Sequence, residues 1–407
     1  MAKRCAGWTV ALLAVSSLTA CNPASRPNPV TTPTVKPMTS SVGTAAPLAV
    51  QPAALFYTKG GALYMSDPAG TPGRKLTDGP ADTQPAPSPD LAHVAYVHKT
   101  NASDYGGELW VLDLSPEHTP VGAPRRLVDP AALTTGFVGA TTMIVSPRWS
   151  PAGKQIAFID NETKGMTGGG RLFVAATDTG AVLPSRRPMS AGDKYSWAPD
   201  GSHIAWMDGR SDVSPIAVNA FEVGVDSVPV AKDTNAFSVT YGRDGQSILF
   251  TNGDASGPES TAIPPFVTRD GGIYSAAAPG GAAPDRLAPP APIFTRPGSY
   301  FGDVAALDSG AVAFTEPSAD GSSKTIQVLG AGSSVPRTAI GNVATDGSGP
   351  VWGAGDLVAY LDASSGSSLI VTDVENRAPK QVDTGVDAFA WPPRTTGTSS
   401  GGNTVPK

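Results

Sequence analysis

The sequence predicts an all-β fold, a β-propeller built from four-stranded blades. Three observations predict it. Apolar runs of four or five residues recur roughly every 40–60 residues, each bounded by Gly, Pro, Asp or Ser. The 3.6-residue apolar period of an amphipathic helix is absent almost throughout. One stretch repeats, as RWSPAGKQIAFID (148–160), SWAPDGSHIAWMD (196–208) and TYGRDGQSILFTN (240–252), with PAPSPDLAHVAYVH (85–98) as a looser copy.

Each copy reads as a β-prone approach, a turn and a buried strand. Pro or Asp enters the turn at little conformational cost, and Gly153, Gly201 and Gly245 fall where a tight hairpin needs positive φ. A third strand follows each hairpin: ELWVLDL (108–114), RLFVAATD (171–178), PIAVNAFEV (215–223) and GGIYSAAA (271–278). A fourth short segment comes next, with a basic residue ahead of Leu or Val, as in PRRLV (124–128) and PDRLA (284–288).

In chain order the second strands are LFYT (55–58), HVAYV (93–97), QIAFI (155–159), HIAWM (203–207), SILFT (247–251), AVAFT (311–315) and LVAYL (357–361). Seven blades are therefore favoured, with six as the alternative. In the last two, Asp308-Ser309-Gly310 and Gly353-Ala354-Gly355-Asp356 stand in for the turn. The two ends complete the count. ALFYT has no first strand ahead of it, and VDAFAWPPR (386–394) is a first strand with nothing after it. Trp391-Pro392 lies where Trp149-Ser150-Pro151 and Trp197-Ala198-Pro199 lie. The C-terminal strand is thus expected to join the N-terminal blade, closing the ring and removing the exposed edges of an open array. The propeller is assigned to residues 51–394 and a disordered tail to 395–407.

The repeat resembles the TolB-type, WD-like propeller repeat, x-W-S-P-D-G-x-x-I-A-F. The match is good over residues 82–252 and weak outside them. The resemblance implies a propeller that is periplasmic or envelope-attached and used for protein contacts. TolB carries six blades and an N-terminal α/β domain. Here a tether leads straight into the first blade, so the resemblance does not carry a Tol–Pal role.

Residues 1–20 read as a leader. Lys3 and Arg4 precede an apolar run, Trp8 to Leu18, that is too short to span a bilayer, which takes roughly 20 residues. Leu18-Thr19-Ala20-Cys21 resembles a bacterial lipobox, which implies a lipidated Cys21 and cleavage just before it. Of the two cysteines, Cys5 lies in the leader, so no disulfide is expected. Residues 21–50 are rich in Pro, Thr, Ser, Ala and Val, cannot bury enough surface to offset their ordering entropy, and read as a tether. The expected location is the extracytoplasmic side of the cell membrane, in the periplasm or at the cell surface.

The chemistry of an enzyme is not legible. No G-x-S-x-G elbow occurs. His93 and His203 share one repeat position with Gln155, so the template explains them, and no His/Cys/Asp set has zinc spacing. Asp160-Asn161-Glu162 and the acids from Asp208 to Asp212 lack Ca²⁺-loop spacing and read as solvated loop acids. Trp149, Trp197 and Trp391 read as packing between blades. No cofactor or metal is expected. A net charge of −6, or −8 without Lys3 and Arg4, argues against nucleic acid.

The turns of the repeat share one face of the ring, and the longer insertions share the other: 98–107, 129–143, 160–170, 252–270 and 288–300. These carry Tyr105, Phe137, Phe266, Phe294 and Tyr300, the candidate binding face. The expectation is a monomeric, non-catalytic scaffold for an envelope protein or polymer. The alternative is a hydrolase or lyase on glycan or peptide, with its site at the channel mouth.

Overall fold

The computed structural model describes residues 54–101, 103–133, 142–162, 171–183, 194–208, 212–217, 230–231, 236–252, 271–278, 290–344, 349–375 and 378–393. The assigned leader, tether and tail lie outside the described residues, as does Cys21.

The chain opens with β1 (Leu55–Lys59), β2 (Ala62–Ser66) and β3 (Arg74–Lys75). Blade 2 is β4 (Asp82–Pro87), β5 (His93–His98), β6 (Glu108–Leu114) and β7 (Pro120–Val128). Blade 3 is β8 (Thr142–Trp149), β9 (Gln155–Glu162), β10 (Arg171–Ala176) and β11 (Val182–Leu183). A three-stranded sheet follows: β12 (Tyr195–Trp197), β13 (His203–Asp208) and β14 (Asp212–Ala217). Blade 4 is β15 (Ala236–Tyr241), β16 (Ser247–Asn252), β17 (Gly271–Ala277) and β18 (Ala291–Arg296). Blade 5 is β19 (Val304–Ala306), β20 (Val312–Pro317), β21 (Ser323–Leu329) and β22 (Arg337–Ala344). Blade 6 is β23 (Val351–Trp352), β24 (Leu357–Asp362), β25 (Ser368–Asp373) and β26 (Lys380–Asp383). The last strand, β27 (Val386–Ala390), pairs antiparallel with β1 and completes blade 1 in the order β27-β1-β2-β3.

The protein is an all-β propeller with four-stranded blades. Complete four-stranded sheets number six among the described residues, the alternative count, and not the favoured seven. The shortfall lies at β12–β14: β14 ends at Ala217, and 218–229 lie outside the described residues. Blade 4 holds a second departure. Its fourth strand is β18, within the stretch 288–300 expected to be an insertion; PDRLA (284–288) lies outside the described residues. Pairing with β17 selects β18, from Gly271 opposite Arg296 to Ser275 opposite Ala291, with an irregularity between Ile273 and Tyr274.

The hairpin turns follow the sequence. Gly201 adopts φ +74°, and its counterparts Gly153 and Gly245 lie at +72° and +68°. In blade 2 the same position is Leu91, which takes φ +60° and is buried. Burial of an apolar side chain there offsets the cost of left-handed backbone, roughly 1–2 kcal/mol for a residue with a Cβ.

The core lies in layers between neighbouring sheets. Phe56 and Leu63 of blade 1 pack on Val94 and Tyr96 of blade 2. Ala95 and Val111 of blade 2 pack on Trp149 and Phe158 of blade 3. The three-stranded sheet is covered on both sides: Tyr195 and Trp206 meet Ile159 and Leu172, and Ala205 and Met207 meet Val239 and Ile248. Leu55 and Tyr57 close the circuit against Leu361 and Val371 of blade 6. The repeat tryptophans add hydrogen bonds between sheets. The Trp149 indole N–H donates to the Ala86 carbonyl at 2.6 Å, Trp197 to Arg148 at 3.1 Å and Trp391 to Val351 at 3.1 Å.

Blade 1 is also latched by charge. Lys59 Nζ donates to Asp383 Oδ1 at 2.6 Å, and the Tyr57 hydroxyl donates to Asp383 Oδ2 at 2.9 Å. Burial pushes the Asp383 carboxyl up, but hydrogen bonds from Lys59, the Thr384 N–H and Tyr57 outweigh it and hold the group below the usual carboxylate range. Burial, with Asp383 beside it, pushes the Tyr57 phenol well up. A lowered folded pKa means that this stability is present above the ordinary Asp value, about 3.9, and lost as pH falls through the folded value. Asp383→Asn is expected to lower stability by about 1–2 kcal/mol at neutral pH, after discounting for partial exposure. Urea titrations from neutral pH down to about pH 2 check the sign: the gap between parent and variant narrows as the parent carboxylate takes its proton. A gap that persists unchanged contradicts the latch.

Candidate binding site: the central channel and its long-loop rim

The innermost strand of every sheet, β4, β8, β12, β15, β19, β23 and β27, lines one cavity of about 620 Å³. This is the propeller channel. Its walls carry mainly Pro and small side chains, including Pro85, Pro147, Ala305 and Ala388. Charge enters the lining through Arg148, Lys194, Arg243, Asp303 and Asp387.

Two neighbouring inner strands are bulged. Gln84 (φ +49°) and Ser146 (φ +54°) lie in the left-handed region, each just before a proline, and the ladder register shifts there in both blades. A residue before Pro is normally extended, so these positions are sparsely populated ones. The bulges are stitched together. The Ser146 N–H donates to Gln84 Oε1 at 2.6 Å, and the Tyr195 hydroxyl donates to the Ser146 carbonyl at 2.6 Å. Two residues on, the exposed Arg148 guanidinium lies 4.7 Å over the Tyr195 ring and donates to the Tyr195 carbonyl.

At the ends of the inner strands, ion pairs tie sheets together. Lys194, just ahead of β12, donates to Asp303, just ahead of β19, at 2.6 Å. On the turn face Arg243 pairs with Asp308. Asp308 Oδ2 accepts from the Gly355 N–H at 2.6 Å, while Asp356 Oδ1 accepts from the Asp308 N–H at 2.6 Å. The degenerate turns of blades 5 and 6 are therefore joined reciprocally by two carboxylates.

The candidate binding residues separate. Tyr105 is 62% exposed and lines the channel. It is placed by Gly106 and Gly107, which follow it. Gly107 exchanges two backbone hydrogen bonds with Ile144 of blade 3, at 3.0 and 2.8 Å. A Cβ on Gly106 would stand 2.5 Å from the Ile144 carbonyl oxygen, and one on Gly107 2.1 Å from that of His98, so only glycine allows this approach. Tyr300 is 39% exposed, its ring edge-on to Phe237 at 4.4 Å. Phe294 is not on a loop. It sits on β18, half-buried, packed against Phe301 and Phe314 at 5.7 and 5.9 Å between centroids. Phe137 and Phe266 lie outside the described residues.

Three of the four histidines are each held by an aspartate through Nδ1: His93 by Asp113 at 2.8 Å, His98 by Asp82 at 2.7 Å and His118 by Asp67 at 2.8 Å. His203 Nδ1 faces the Ser202 hydroxyl at 2.7 Å. Among the described residues, no group of three or more His, Cys, Asp or Glu side chains is gathered as a metal would need. Asp160 corrects an expectation: it is fully buried, not a solvated loop acid, and accepts from the Arg171 backbone N–H and Nε, both at 2.9 Å. Sequence reading also missed Arg148. The signal was present, since RWSP carries a cation where the other copies have Ser196 and Thr240.

No family model and no curated protein matches the chain. Solved structures do resemble it. The tricorn protease is matched at 12% identity and TM-score 0.56, covering 82% of this chain and 33% of that one. The Swd1 β-propeller domain of Myceliophteria thermophila is matched at 12% identity and TM-score 0.51, covering 81% of this chain and 96% of the domain. TolB from Acinetobacter baumannii is matched at 16% identity and TM-score 0.48, covering 74% of this chain and 66% of TolB. The chain thus spans a third of the protease and just under two thirds of TolB. At these identities the likeness establishes the propeller fold alone.

Proposed function

We propose that this chain is a cell-envelope lipoprotein, anchored through Cys21 on the extracytoplasmic side, whose propeller is a non-catalytic scaffold for an envelope protein or polymer. The observation that carries the reading is Tyr105, a 62% exposed aromatic held at the channel rim by a glycine pair with no room for any side chain. Rigidly placed exposed aromatics serve recognition at low entropic cost. Tyr300 extends the same rim. We also read the three-stranded sheet as a seventh blade, because it lends an inner strand to the channel and packs on both neighbours.

Two experiments on the full chain, expressed in a bacterial host, test this. Mass spectrometry of the N-terminal peptide is expected to find a diacylglyceryl group on Cys21, and Cys21→Ser is expected to release the protein from membranes. A photo-crosslinking residue at position 105 is expected to capture a defined envelope component, while one on the turn face at Val335, exposed between β21 and β22, does not. Equal capture at both positions counts against the rim. Turnover of a glycan or peptide panel, lost on mutation of channel residues, favours the alternative enzyme.

A further inference from the structure

We propose that the channel wall around Arg148 is a binding site for a single carboxylate carried by a small ligand. The inference is independent of the envelope-scaffold reading.

The repeat explains its neighbours but not this residue. Template partners of Arg148 on the other inner strands are Ala86, Ser196, Thr240, Ala305, Val351 and Ala390, uncharged in every case. The ring therefore closes at this level without a cation, and Arg148 places one in a cavity of about 620 Å³, inside the usual range for small-molecule sites. Its guanidinium is pre-oriented. The Tyr195 ring fixes its plane at 4.7 Å, and the Tyr195 carbonyl accepts a hydrogen bond from it. Tyr195 is itself fully buried, its hydroxyl held by the Ser146 and Ala157 carbonyls, so the platform does not move. A planar fork held in this way suits a carboxylate.

The surroundings agree with that choice. The two bulges beside Arg148 place backbone in a sparsely populated conformation next to the cavity, a feature that clusters at ligand sites. Gln84 and Ser146 add polar groups on the same arc of wall. Elsewhere on the wall lie Asp303, already paired with Lys194, and the exposed Asp387, on β27 next to the strand of Gln84. A second negative charge on the ligand would meet Asp387, so one carboxylate is favoured over two. A peptide C-terminus and a sugar acid both supply that group.

Calorimetric titration of the full chain tests the site with matched probes: N-acetyl-alanyl-alanine against its C-terminal amide, and glucuronate against glucose, with glucarate as the dianion. At least one carboxylate is expected to bind about tenfold or more tightly than its neutral counterpart. Glucarate is expected to bind no better than glucuronate. Arg148→Ala is expected to erase the preference, and Arg148→Lys to keep part of it. Whichever pair shows the preference identifies the source. The thermal midpoint separates binding from folding, and if Arg148→Ala does not fold, Arg148→Gln is read in the same way. Carboxylates that bind no better than their neutral partners, or a preference that survives loss of the guanidinium, overturn the proposal.

Discussion

Removing residues 386–407 is expected to abolish cooperative folding. β27 supplies the inner strand of blade 1, and Val386, Phe389 and Trp391 are all buried against blades 1 and 6. Burial of each such side chain is worth roughly 1.5–3 kcal/mol, so the three together rival the 5–15 kcal/mol that holds a typical domain folded. Loss of the strand also bares β1 along one edge, from Phe56 to Lys59, and an unpaired edge recruits other chains. Gel filtration and urea unfolding are expected to show aggregate or a broad, non-cooperative transition. A monomer that unfolds sharply near the parent midpoint would show that closure contributes little.

The second large effect lies inside blade 3. Asp160→Ala is expected to cost about 3–5 kcal/mol, because it strands the Arg171 guanidinium in a buried site. The carboxylate accepts from the Arg171 N–H, Nε and Nη2, and the guanidinium also lies 5.2 Å from the Phe173 ring. Replacing both partners, as in Asp160→Leu with Arg171→Met, is expected to recover most of the loss, since desolvation of both charges is then avoided. Denaturation midpoints of the three variants check this. A double variant as unstable as Asp160→Ala would mean that the pair does more than neutralise itself.

Much of the fold was legible because its signals are local. Pro, Asp and Gly at fixed offsets announce a hairpin, and HIAWM or QIAFI announces a strand buried on both faces. Closure was legible too, because FAWPPR lacks its second strand and ALFYT lacks its first. What failed depended on partners distant in sequence. β18 was missed because its exposed and half-buried residues, APIFTR, look like loop until β17 supplies the ladder. Asp160 looked solvated because only the fold brings Arg171 across from the next strand. Of the candidate rim, Tyr105 was singled out in the sequence by loop length alone, and its exposure is visible only in the fold. Arg148 was hidden in plain view, as a departure from the repeat that mattered because six sister positions lacked it. The bulges at Gln84 and Ser146 had no sequence signature, since a residue before Pro ordinarily reads as extended.

Circular closure is the claim on which the channel, the rim and the carboxylate site all depend. Amide hydrogen exchange on the folded protein tests it most directly. The backbone N–H groups of Val386 to Ala390 that pair with β1 should be protected to the same degree as those of β1 and β2, and should open only with global unfolding. Exchange of that segment at random-coil rates, while β1 and β2 stay protected, would contradict the closed ring.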